Sequence, residues 1–306
     1  MVWLKNRHVT KEAPMKENLK EQILKKLPFL FPIYVFAGLY FRCYQLKNEL
    51  LFDGSLVEGA YMHRVLIALS LIVPLAFALS CWTLKKLRYH SSCFTDNGVW
   101  VSLQIIAGVG LIGSNLLQFG QELPPFFMVT RMSTLLVESL PWLGIAAGLC
   151  VIAFAILCKC HRTPSPLLYM LVSIYLVVRL IVRFQNWNTD PSIHDYAYEL
   201  LAAICTMLGC FQVAGFGFNK GKRAITAFWC SCAVFFTGIS LADALEDLPE
   251  LCALLSLLIL SFTMAIQLLY AREDIEEPTE EAPSAKDLPE EDTPTDLPPE
   301  DHSPEF

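Results

Sequence analysis

Charge is scarce in this chain. Asp, Glu, Lys and Arg make up 17% of it and hydrophobic residues 54%, whereas a soluble domain has about 25% charged residues. Residues 65–84, 98–121, 139–158, 200–219, 224–242 and 251–271 contain no charge at all. Stretches of that length do not belong on the wetted surface of a soluble enzyme. They match the roughly 20 residues that a helix needs to cross a bilayer, and they indicate a polytopic, all-α membrane bundle.

Other absences narrow the function. The chain has no HExxH, GxSxG or P-loop, and no GxGxxG in a suitable context, so it lacks the common signatures of metalloproteases, serine hydrolases and nucleotide enzymes. Enzymatic activity is therefore disfavoured but still open, and neither a cofactor nor a nucleic-acid partner is expected. A disulfide framework is also excluded. The eleven Cys are an odd number and lie mostly inside apolar runs, where they read as small packing residues. The N-terminal MVWLKNRHVTKEAPMKENLKEQILKKL has no apolar core of the kind a cleavable signal needs. In it Met15, Leu19, Ile23 and Leu27 recur every four residues among Lys and Glu. That pattern predicts an amphipathic juxtamembrane helix over residues 1–27, lying on the cytoplasmic lipid surface.

The apolar runs predict eight transmembrane helices at 28–46, 64–84, 98–118, 134–158, 166–184, 197–218, 224–242 and 251–270. Orientation follows from Lys and Arg, which concentrate in cytoplasmic loops. Seven occur in residues 1–27, followed by Lys85, Lys86 and Arg88, then Lys159 and Arg162, then Lys220, Lys222 and Arg223, then Arg272. The intervening loops carry few, and residues 185–196 and 243–250 carry none. Both termini are thereby expected in the cytoplasm, in a plasma-membrane protein whose transmembrane domain spans 28–272. Residues 273–306 are acidic and Pro-rich and repeat DLPEED as DLPPED. They read as a disordered tail.

Polar residues inside spans are costly and usually face the bundle interior or water. Here they gather in the outer half. Arg42 and Gln45 close the first span, Asn115 the third, Arg179 and Arg183 the fifth, while Glu138 opens the fourth and Glu199 the sixth. Arg179 and Arg183 share a helix face, with Tyr175 one turn deeper. The expectation is an outward polar pocket on Arg42, Asn115, Glu138, Arg179, Arg183 and Glu199. Its guanidiniums would receive a small anion, since the planar fork suits carboxylate or phosphate. The competing reading is interfacial anchoring by Trp, Tyr and Arg at span ends. His194 and Asp195 with Glu199 read more simply as a helix start than as acid–base chemistry. His90, Cys93, Cys158, Cys160 and His161 fall on two inner loops and are weak candidates for zinc, CxC being an unusual spacing for it. No metal is expected there.

The segment WNTDPSIHDYAYELLAAICTMLGCFQVAGFGFNKGKR carries Trp187 with Pro191, Asp195-Tyr196, Leu200-Leu201-Ala202, Ala214-Gly215-Phe216 and Gly221-Lys222-Arg223. In this order the block resembles one in uncharacterised multi-pass membrane proteins of anaerobic Gram-positive bacteria. YFRCYQLKNELLFDGSLVEG is similar to that group's first outer loop, although Asp53-Gly54-Ser55-Leu56 stands where the group has Asp-x-x-Thr-Gly-Leu. The resemblance implies an eight-span bacterial plasma-membrane protein and brings no activity, cofactor or site residue. Three functions are open at this point. The first is transport, or a role associated with it, through the outer pocket. The second is a scaffold whose tail recruits a cytosolic protein. The third is an enzyme acting on lipid headgroups.

Overall fold

The structure is a computed structural model. It describes residues 30–50, 57, 59–82, 84, 93, 94, 97–119, 131–187 and 193–271, and of residues 131–134, 185–187 and 193–195 the backbone alone. The expected surface helix at 1–27, the tail at 273–306 and His90 lie outside the described residues.

Among the described residues the chain forms eight helices and no strand. They are α1 (30–48), α2 (Tyr61–Trp82), α3 (Gly98–Gln118), α4 (Arg131–Lys159), α5 (Leu167–Trp187), α6 (Ile193–Gly217), α7 (Arg223–Ser240) and α8 (Leu248–Leu269). Each corresponds to one expected span. Seven of them, α2 to α8, are long and apolar enough to cross a membrane, and the chain has the construction of a multi-pass membrane protein. Pro74 and Pro141 stay inside α2 and α4, as membrane helices tolerate when neighbours re-satisfy the freed backbone groups.

α1 falls short of the other seven because Arg42, Gln45, Lys47 and Asn48 crowd its last two turns. It is nevertheless part of the bundle. Ile33, Phe36, Tyr40 and Tyr44 are exposed along one face, while Phe31, Gly38, Arg42 and Gln45 are buried on the other. A helix with its apolar face outward and its polar face inward suits lipid and not water. Phe31 stacks on Phe77 of α2 at 5.3 Å and on Phe262 of α8 at 6.1 Å. Gly38 and Gly238 let α1 and α7 approach closely, since a Cβ on Gly38 would lie 2.6 Å from Ile239 and one on Gly238 2.6 Å from Val35.

The remaining helices close a ring in which α3 packs on α4, α4 on α5, α5 on α6, α6 on α7, α7 on α8, and α8 back on α3. α2 packs on α7 from outside, so α7 is the most enclosed helix and α2 the least. The α3–α4 crossing is tight, with Gly108 and Gly148 presenting backbone to backbone where a side chain on either would strike the other's carbonyl. This is the small-residue packing by which membrane helices gain contact without a hydrophobic drive.

Arg223 departs from its expected place as a loop charge. It is buried at the start of α7, where its Nε donates to Leu268 O at 2.7 Å and Nη2 to Leu269 O at 3.1 Å. Both carbonyls belong to the last turn of α8, which has no helical N–H to accept from and whose dipole favours a cation.

Candidate functional site

Apart from Arg223, the buried charges collect at the end of the bundle where α1, α3, α5 and α7 finish. Arg42 of α1 is fully buried. Its Nε donates to Asp243 Oδ1 at 2.8 Å in the α7–α8 turn, its Nη1 donates to Gln45 at 2.9 Å, and its guanidinium lies 5.3 Å over the Tyr198 ring of α6. Gln45 reaches His63 of α2 at 3.1 Å. One turn on, the Glu49 carboxylate accepts the N–H groups of Met62 and His63 at 2.8 and 2.9 Å, capping the start of α2 and favoured there by its dipole.

A second network runs across the ring. Asn115 of α3 donates to Leu111 O at 2.7 Å and exchanges hydrogen bonds with the Tyr175 hydroxyl at 3.3 and 3.4 Å. Tyr175 in turn accepts from Arg179 Nη1 at 3.2 Å. The next group out is Glu250, in the first turn of α8. One of its oxygens pairs with Arg179 and the other with Arg183. Arg183 also faces Glu199 of α6, with Nε 3.5 Å from Oε1. Arg179 and Glu250 are almost wholly buried, whereas 28% of the Arg183 side chain is exposed.

Two cavities flank this network. A small one of about 10 Å³ is lined by Arg179, Arg183, Glu199, Thr237 and the apolar side chains of Leu180, Ala202, Ala203, Leu254 and Leu257. The hydroxyl of this Thr237 is buried without a hydrogen-bond partner. The other is an open cleft of about 560 Å³ between the end of α1, the start of α6 and the α7–α8 turn. Arg183, Glu199 and Glu250 line it from the network; Lys47, Asp243, Glu246 and Asp247 line it from the α1 end and the turn.

No known protein family, curated protein or solved structure matches this chain. The likeness of residues 187–223 to a bacterial membrane-protein group is therefore one of short motifs alone.

Of the six expected pocket residues, the structure links Asn115, Arg179, Arg183 and Glu199 in one network, whereas Arg42 belongs to the other and lines neither cavity. Glu138 does not join them. It is exposed on α4 and lines neither cavity. Glu250 and Asp243, which with Glu199 supply the anionic side of the site, are not among those six residues. A signal for them exists in the chain: residues 243–250 hold Asp243, Glu246, Asp247 and Glu250 with no Lys or Arg, while Arg42, Arg179 and Arg183 have no carboxylate within a turn of their own helices. Of the zinc candidates, Cys93 and Cys158 are buried and Cys160 and His161 exposed. Among the described residues, no three His, Cys, Asp or Glu side chains converge to hold an ion. The side chains of His194 and Asp195 lie outside the described residues.

Gly144 connects the ring's packing to the site. A Cβ there would lie 2.1 Å from Asn115 Oδ1. Gly144→Ala should rotate Asn115 away from Tyr175 and lower stability by about 1–2 kcal/mol, the scale of a broken buried hydrogen bond. Thermal unfolding in detergent measures this. Adding Asn115→Ala should recover part of the loss, and full additivity of the two substitutions would contradict the contact.

Proposed function

We propose that this protein is a transport or transport-associated protein of the plasma membrane, with both termini in the cytoplasm and the cleft open to the outside. The alternating Lys/Arg bias of its loops supports the orientation. With α1 counted as a span, the even number of crossings agrees with it. The observation that carries the function is the double position of Arg183, which belongs to the buried ion-pair network and also lines the cleft. A guanidinium embedded in the bundle yet reachable from a cavity of small-ligand size is a natural anion receptor.

The rest of the cleft qualifies the ligand. Asp243, Glu246 and Asp247 face it against Lys47, which disfavours a multiply charged anion. A ligand with one small anionic end and a neutral or cationic remainder fits better. In purified full-length protein, a panel of small carboxylates, sulfonates and zwitterions should contain members that raise the unfolding temperature. Arg183→Gln should abolish that rise while leaving a folded protein. Stabilisation by simple amines alone, unchanged in Arg183→Gln, would overturn the anion-receptor reading.

A further inference from the structure

Glu199 and Glu250 share two guanidiniums unequally. Glu250 takes both Arg179 and Arg183, one on each oxygen. Glu199 has a single longer contact, to Arg183, at the edge where that side chain reaches the cleft. Two cations and two anions balance as they stand. An incoming anion at Arg183 would make three anions against two cations in a site largely removed from water, where like charges repel strongly. The imbalance disappears when one carboxylate accepts a proton. Glu250 is unsuited, because its neutral form would forfeit two ion pairs. Glu199 forfeits one weak contact, and it faces both the cleft and the small cavity.

That cavity holds the second observation. It has room for about one water molecule. Its wall includes Thr237, whose hydroxyl is buried and without a partner, an arrangement that in a low-dielectric interior normally costs stability. A protonated Glu199 has an O–H to place, and Thr237 offers an acceptor across a cavity that a single water fills. The unused hydroxyl is then the hydrogen-bonding group of the protonated state.

We propose, building on the anion-receptor reading above, that Glu199 couples the site to protons. It accepts one proton from solvent in the cleft, releases Arg183 to the ligand's anionic group, and turns its O–H toward Thr237. The groups facing Glu199 are consistent with such an exchange. Arg179 and Arg183 come from α5 and Glu250 from α8. Asp243, Glu246 and Asp247 of the turn and Lys47 of α1 line the same cleft. On its own helix, Tyr196 also lines the cleft and Tyr198 lies under Arg42. The turn carboxylates favour protonation of Glu199 and the two arginines oppose it, so the ligand's negative charge decides between the two states.

Methanesulfonate and taurine are suitable probes, since their sulfonates stay anionic throughout the working range. Binding by the full-length protein is followed in detergent as a shift in unfolding temperature from about pH 8 to about pH 5, and proton uptake with an indicator dye in weak buffer. The sign follows from which form binds: the protonated form does, so affinity rises as pH falls. Above the titration of Glu199 it should weaken about ten-fold per pH unit, with one proton taken up per ligand. Glu199→Gln should bind at every pH without that slope. Thr237→Val should keep the fold and shift the slope to lower pH. Binding to wild type that is independent of pH and takes up no proton would overturn the coupling and leave the anion receptor standing. Absence of binding in both wild type and Glu199→Gln would overturn both.

Discussion

Glu250→Gln should be among the most damaging single substitutions in this protein, at about 3–5 kcal/mol, the range for removing one partner of a buried ion pair. The amide keeps the size of the side chain and leaves Arg179 and Arg183 facing each other without their shared carboxylate. Arg179 is the more exposed to harm because it lies deeper and, among the described residues, its other hydrogen-bond partner is the neutral Tyr175 hydroxyl. Reversible unfolding in detergent measures the loss. The double variant Glu250→Gln, Arg179→Met should be more stable than Glu250→Gln alone, because it removes the stranded charge. If instead the two losses add, the pair is not coupled in the way its geometry implies.

Arg42→Met should come second, again at about 3–5 kcal/mol. Its effect should spread further, because one guanidinium ties α1 to the α7–α8 turn and to the face of Tyr198 on α6. The loss should be accompanied by faster proteolysis or hydrogen exchange in α1 and α2, since the Gln45–His63 link extends from the same group. Asp243→Asn in the Arg42→Met background should cost little further. Uniform loosening of all eight helices, with no bias toward the first two, would count against this assignment.

The architecture was largely legible in the chain. Charge-free runs of hydrocarbon length do not fit another fold class, and each expected span appears as a helix with its ends displaced by a few residues. α6 is one such case: the structure starts it at Ile193, ahead of the apolar run, because the polar turn containing Tyr196 and Glu199 is already helical and faces the cleft. The cationic side of the site was legible too, since an arginine inside an apolar run is conspicuous. Of its anionic side, Glu199 was legible and Glu250 and Asp243 were not. Glu250 is the third residue of an apolar helix, after Leu248-Pro249, and reads as an ordinary first-turn acid. Its role arises from α8 closing the ring between α7 and α3, which lets its first turn reach across to the arginines of α5, a matter of tertiary placement that no local periodicity encodes. Glu138 shows the converse. Proximity of an acid to a span end was read as proximity to the arginines, yet α4 turns it outward.

Arg42 and Asp243 are 201 residues apart in the chain, and this separation sets an order of events during synthesis. At about 5–20 residues per second, roughly 10–40 seconds pass between the making of α1 and the making of its counter-ion. Over that interval Arg42 has Gln45, three residues on, within reach but not yet Asp243. The ion pair that ties α1 to the α7–α8 turn therefore forms only after α7 has been made, and the contacts of α1 with α2 precede it.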